Sequence, residues 1–132
     1  MTPRRLLAEA ERARRSAYAP YSRFTVGAAL LADDGRVFLG ANVENASYGL
    51  TVCAERVALW KAVTEGARGF VALAVAGPPR RDAPPCGACR QTLAEFAPEL
   101  RVHWRGRNGR ITSRALARLL PQAFRLGPRK AR

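Results

Sequence analysis

The sequence has no long apolar run, only three cysteines, one histidine and ten acidic residues in 132. Its most apolar stretches, near Val26 to Ala32 and Val71 to Ala76, fall far short of the roughly 20 residues a membrane-spanning helix requires. The N-terminus, Met1-Thr2-Pro3-Arg4-Arg5, is basic but leads into a segment dotted with Glu9, Glu11, Arg12 and Arg14, without the unbroken apolar core of a secretion signal. A cytoplasmic location is expected. An odd number of cysteines cannot all pair within one chain. In a reducing compartment a close Cys pair is more often a metal or redox site than a disulfide.

The shortage of acid leaves a formal charge of +13 from 23 Lys plus Arg. Residues 1 to 23 carry six positive and two negative charges, residues 24 to 100 seven and eight, and residues 101 to 132 ten and none. A basic patch draws in polynucleotides by counterion release, so nucleic-acid binding stays open as a second reading. The distribution weighs against it, because the stretch that holds every cysteine is nearly neutral. Surface solvation is the plainer account, and 21 of the 23 basic residues being Arg points to a compositional bias. With 48% hydrophobic and 25% charged residues the chain is not disordered. Its length suits one domain spanning 1–132.

Thr2 can cap a helix with Pro3 at its first position, and Leu6, Ala10, Ala13 and Ala17 recur at helical spacing before Pro20, predicting a helix over 3–17. Residues 24–32 and 36–43 are rich in Val, Phe and Leu and flank Asp33-Asp34-Gly35, a hairpin signature. The pattern then predicts a helix over 52–65, a buried strand over 70–76 and a Pro-rich loop over 77–85. A helix over 86–97, a strand over 100–104 and a short strand near 110–111 follow, with a last helix capped by Thr112 or Ser113 and running through Leu120. Alternating helices and strands predict an α/β fold, a three-layer α/β/α sandwich around a five-stranded mixed sheet.

The chemistry concentrates at Cys86-Gly87-Ala88-Cys89 and at Cys53, both at predicted helix starts. Three soft thiolates fit zinc, and a three-ligand set leaves the fourth tetrahedral position open to solvent, as catalytic sites do. The C-x-x-C spacing by itself is shared with thioredoxin-like redox pairs and structural zinc ribbons. A structural site needs a fourth donor, and His103, alone on a predicted strand, reads instead as a half-buried residue. Thiolates at helix N-termini gain from exposed N–H groups and the helix dipole. Three of them around Zn²⁺ leave a formal −1, and Arg56 is placed to donate to them from outside the ligand set. Glu55, two residues from Cys53, can carry protons without ligating the metal. Together these residues suggest hydrolysis.

The segments NVENASYGLTVCAERVALWKAV (Asn42 to Val63) and PCGACRQTLAEF (Pro85 to Phe96) closely resemble the cytidine deaminase family, in its short form that acts on free nucleosides. The resemblance extends through APYSRFTVGAALLADDGRVFLGANVEN (Ala19 to Asn45) and LLPQAF (Leu119 to Phe124), and so covers nearly the whole chain in order. It implies a cytidine deaminase-like fold and zinc-dependent hydrolytic deamination of cytidine and 2′-deoxycytidine, with release of ammonia. By the same resemblance Cys53, Cys86 and Cys89 hold one Zn²⁺ per subunit and Glu55 is the catalytic acid and base. Asn42 and Glu44 meet the ribose hydroxyls, Phe24 lines the base pocket, and the Ala54 backbone reads the pyrimidine edge. Short deaminases of this family are homotetramers with shared active sites, in which Phe124 matches an aromatic that stacks over a neighbour's base and Tyr48 falls near subunit contacts. Family tails are often acidic, whereas Arg125 to Arg132 is basic. The alternative is a blasticidin-type deaminase of the same fold. Asn42, Glu44, Asn45 and the run Ala54-Glu55-Arg56 favour cytidine.

Overall fold

The computed structural model describes residues 1–127; the remainder of the basic tail lies outside the described residues. The first helix, α1 (Pro3–Arg14), begins where Thr2 Oγ1 accepts the Arg5 N–H at 3.2 Å and Pro3 fills a position that needs no donor. It stops at Arg14, three residues short of the sequence expectation. Beyond it the Tyr18 N–H donates to the Asn42 carbonyl at 2.9 Å and the Tyr18 carbonyl accepts from the Glu44 N–H at 2.8 Å. That extended pairing is incompatible with continued helix.

Strands β1 (Gly27–Ala32) and β2 (Val37–Ala41) form the expected hairpin, turning at Gly35 with φ of 93°, a region that suits glycine. Both are shorter than the apolar runs that announced them. Phe24 to Val26 leaves the ladder because its polar groups turn to a side chain: Asn42 Oδ1 accepts the Val26 N–H and Asn42 Nδ2 donates to the Phe24 carbonyl, each at 2.8 Å. After a 3₁₀ turn at Tyr48–Leu50 come α2 (Ala54–Thr64), β3 (Phe70–Ala76), α3 (Gly87–Phe96), β4 (Arg101–Arg105), β5 (Ile111–Ala115) and α4 (Leu116–Leu119). The end of the chain corrects the sequence reading. Thr112 and Ser113 do not cap a helix but sit inside β5 opposite Trp104 and His103, so β5 is five residues long and α4 only four. Pairing with the whole of β4 outweighs their local preference for a helix start.

The sheet order is β2-β1-β3-β4-β5, with β3 and β4 parallel and the other pairs antiparallel. Alternation along β3 sends Ala72, Ala74 and Ala76 to one face, against Leu6, Leu7 and Ala10 of α1. Leu73 and Val75 face the other side with Ala58 and Leu59 of α2 and Leu93 of α3. The result is the three-layer α/β/α arrangement. Each fully buried leucine in these two cores contributes about 2 kcal/mol. His103 lies on the α1 face, because its neighbours Val102 and Trp104 pack with α2 and α3. It is buried, bonds Ser113 Oγ through Nδ1 at 2.7 Å and lies across the sheet from the cysteines.

One close approach sets the depth of α2. A Cβ added at Gly40 on β2 would stand 2.4 Å from the Ala54 carbonyl oxygen and 2.5 Å from the Ala58 nitrogen. The bare backbone there lets the first turn of α2 lie directly on the sheet. No helix among the described residues is long and apolar enough to cross a membrane.

Candidate active site

Two helix starts converge on one point. Cys53 is the N-cap of α2 and Cys86 the N-cap of α3, while Cys89 lies one turn into α3, fully buried. All three are free thiols, and their sulfur atoms lie within 4.8 Å of one another, with Cys53 and Cys86 at 3.9 Å. Ligands at the usual Zn–S length around a tetrahedral ion stand about 3.8 Å apart, so this spacing fits zinc. Charge also fits. Arg56 Nη2 donates to Cys53 Sγ at 3.4 Å, and its Nε is buried without a hydrogen-bond partner. A guanidinium so placed offsets the negative charge of a thiolate cluster.

The electrostatics follow from this crowding. Hydrogen bonding from Cys89, reinforced by Arg56, pulls the Cys53 thiol down to about 5. The bond to Cys53 in turn pushes the Cys89 thiol upward, and bonding to Cys53 raises Arg56 further above its ordinary value. Glu55, in the first turn of α2, is 4% exposed. Burial is the main cause that pushes its carboxyl up to about 7, and the Cys53 charge adds to it.

Glu55, Cys53, Cys86 and Ala54 line a pocket of about 280 Å³ together with Phe24, Asn42 and Glu44. Two of the three proposed metal ligands, the proposed proton carrier and this chain's share of the substrate site therefore border one cavity, and Cys89 stands buried behind it with its sulfur in the same cluster. Asn42 and Glu44 reach it from beyond the end of β2 rather than from within a strand. Asn42 is buried and half committed to clasping Phe24 and Val26, which leaves one N–H and one lone pair free. Glu44 accepts the Tyr21 N–H at 2.9 Å and the Ser22 N–H at 3.1 Å, and the Ser22 hydroxyl donates to its other oxygen. The Ser22 hydroxyl is the chief cause that lowers its carboxyl below the ordinary range. Phe124 is 72% exposed and does not border this pocket. Tyr48 borders an adjoining hollow with Tyr21, Ser22, Glu44 and Thr51.

Sequence reasoning missed Ser22, Thr51 and Asp82, which also line the pocket, because nothing in local pattern brings three separate loops together. It also missed Arg90, whose Nε donates to the Pro85 carbonyl at 2.7 Å and whose Nη1 donates to the Leu119 carbonyl at 2.9 Å. This pins the approach to Cys86 against the end of α4. Its position directly after Cys89 was the available signal.

An α/β sandwich with three cysteines at two helix N-termini and a buried Glu beside them defines a zinc-deaminase type of centre. Residues 1–103 match the model of the cytidine and deoxycytidylate deaminase zinc-binding region, and the chain belongs to that family. It is 56% identical over 120 residues to the cytidine deaminase of Halalkalibacterium halodurans, covering 90% of this chain and 91% of that protein. It is 45% identical over 130 residues to the cytidine deaminase of Mycobacterium tuberculosis, covering 96% and 94%. The crystal structure of cytidine deaminase from Burkholderia pseudomallei superposes with a TM-score of 0.89 at 50% identity, covering 94% of this chain and all of that one.

Proposed function

We propose that this protein is a zinc-dependent hydrolytic deaminase of free cytidine and 2′-deoxycytidine, acting in the cytoplasm as a single catalytic domain. The observation that carries the reading is the cluster of Cys53, Cys86 and Cys89, which opens through Cys53 and Cys86 onto the same pocket as buried Glu55. Cys53, Cys86 and Cys89 would hold one zinc per chain, and zinc bound there supplies a Lewis acid that makes water nucleophilic at neutral pH.

The residues of the chain do the rest. Glu55 accepts a proton from the attacking water and passes it to N3 of the pyrimidine, then takes the remaining proton of that oxygen, now bonded to C4, and delivers it to the departing amino nitrogen. One water is consumed and one ammonia released, leaving the 4-oxo base of uridine or 2′-deoxyuridine. In the metal-free chain burial holds the Glu55 carboxyl above its ordinary range, a setting that favours a group able to hold a proton as well as take one. The Phe24 ring offers an apolar face to the base, the Ala54 backbone borders its edge, and the free donor and acceptor of Asn42 serve the sugar. Glu44 can accept from a ribose hydroxyl. Arg56 holds the thiolate cluster from behind without entering the pocket.

Electrostatics favour the nucleoside over its phosphate. The described residues lining the pocket include Glu44, Glu55 and Asp82 but no Lys or Arg, so a phosphate there would meet carboxylates and no cation. The volume lies just below the roughly 300–1,000 Å³ usual for small-molecule sites, which favours a single nucleoside over a polymer. A homotetramer with shared active sites is part of the proposal. Exposed Tyr48, Leu50, Phe124 and Leu126, each at least 67% accessible in the single chain, supply apolar surface for neighbours to cover.

Zinc stoichiometry measured alongside ammonia release from cytidine, 2′-deoxycytidine and deoxycytidylate tests the assignment. One zinc per chain and release from both nucleosides, with the phosphate ester far slower, is expected. Absence of ammonia from either nucleoside would reject it.

A further inference from the structure

The loop 77–85 carries three charged residues that the proposed reaction does not use, Arg80, Arg81 and Asp82. The Arg81 guanidinium carbon stands 4.9 Å from the centre of the Phe24 ring, within cation–π range. Phe24 lines the pocket and Arg81 does not. Arg81 therefore meets the ring from outside the pocket lining.

The loop is built to hold that contact. Pro78 and Pro79 restrict its backbone, and the Arg81 N–H donates to the Pro78 carbonyl at 3.2 Å. Arg80 takes φ of 64°, a left-handed conformation uncommon for a residue with a Cβ. On one side the Gly77 carbonyl accepts from Arg14 Nη1 at 3.0 Å. A Cβ at Gly77 would stand 2.8 Å from the Ala83 Cβ and 3.6 Å from the Phe24 ring, so the two ends of the loop close directly over that ring. On the other side Ala83 is buried in the core, while the Asp82–Arg107 pair beyond it, 3.8 Å between side chains 50% and 82% exposed, adds little to the hold. Both ends are tied down, and Arg81 is delivered to one place.

We infer that Arg81 is a positioning residue for nucleoside binding: it clamps the half-buried Phe24 ring in the plane the pyrimidine stacks on. The inference rests on the deaminase reading and adds to it a residue outside the pocket. A ring already held loses less freedom when the base arrives, so the clamp strengthens binding. It makes no contact with the reacting atoms. Its removal weakens ground state and transition state alike, which raises KM and leaves kcat unchanged.

Steady-state kinetics on cytidine with the zinc-loaded full chain test this in Arg81→Gln, Arg81→Lys and Arg107→Ala. Arg81→Gln should raise KM about two- to five-fold, the size of an exposed cation–π contact, at wild-type kcat. Arg81→Lys should recover most of the loss. Arg107→Ala removes an equal charge from the neighbouring turn without touching Phe24 and should keep the wild-type KM. In a Phe24→Leu background, Arg81→Gln should have no further effect, because the ring it clamps is gone. An unchanged KM in Arg81→Gln, a fall in kcat instead, or an equal rise in Arg107→Ala would overturn the clamp. Wild-type protein that leaves cytidine untouched overturns the deaminase reading as well; an active wild type indifferent to Arg81 overturns the clamp alone.

Discussion

Replacing Glu55 by Gln exchanges a carboxylate for an amide of the same shape at a residue that is 4% exposed. Packing is preserved and the capacity to accept a proton is lost. General acid–base catalysis contributes about 10²- to 10⁴-fold per proton transfer. Glu55 is proposed to act at both N3 and the leaving nitrogen, so kcat should fall by about 10³-fold or more, roughly 4 kcal/mol on the barrier. Zinc content should stay at the wild-type level, since no ligand is changed. Stability separates lost chemistry from damage to the fold. In the metal-free protein, burial raises the Glu55 carboxyl from 4.5 to about 7. The folded state then binds more protons than the unfolded chain between those values, so stability falls as pH rises through that window and the loss is complete above it. At about 1.4 kcal/mol per pH unit the full cost is about 3 kcal/mol. Gln cannot ionise, so chelated Glu55→Gln protein should be the more stable by up to about 3 kcal/mol at pH 8, with the difference gone near pH 4. Ammonia release, zinc content and urea melts at the two pH values make the comparison. Turnover within ten-fold of wild type would remove Glu55 from proton transfer, and equal melts at pH 8 would refute the buried-charge argument.

The other expectations are simpler. Cys86→Ala should lower zinc content and abolish turnover, because it removes a proposed ligand along with the N-cap of α3, and chelation of the wild type should do the same while lowering its melting temperature; full zinc retention in the variant would exclude Cys86 as a ligand. Gly40→Ala drives a methyl group into the backbone of α2 and should cost about 3 kcal/mol, lowering the melting temperature by about 10 °C and displacing Glu55; an unaltered melt would mean the helix stands farther off than the structure shows. Phe124→Ala should raise KM for cytidine several-fold with the far-UV circular dichroism of the subunit unchanged, because its 72% exposed ring supports little of its own subunit; an unchanged KM would leave Phe124 outside the site.

Much of the architecture was legible because its signals are local. Thr2-Pro3 marks the start of α1, Asp33-Asp34-Gly35 marks the hairpin turn, and the unbroken run of β3 marks a strand buried on both faces. The errors fall where a long-range partner decides. Thr112 and Ser113 suit a helix cap as well as a strand, and their pairing with β4 settles the matter. Residues 15–17 continue a helical pattern, but Tyr18 is claimed by Asn42 and Glu44, more than twenty residues away. Phe24 to Val26 reads as strand and is instead held by the Asn42 amide, a contact that no periodicity encodes.

The same division runs through the site. The sequence by itself determined which atoms are available: three thiols at two helix starts, one carboxylate two residues from the first, and a guanidinium beside it. Residue type and helical spacing suffice for that, since each group is placed by its own helix. Tertiary structure decided that the two helix starts meet, with sulfurs 3.9 Å apart, and that Glu55 is buried deeply enough to hold its proton near neutral pH. It also brought the loop of Arg81 and Asp82 to the cavity. Those properties depend on what the sheet and the opposing helix exclude from solvent, and burial belongs to the packed chain rather than to any stretch of it.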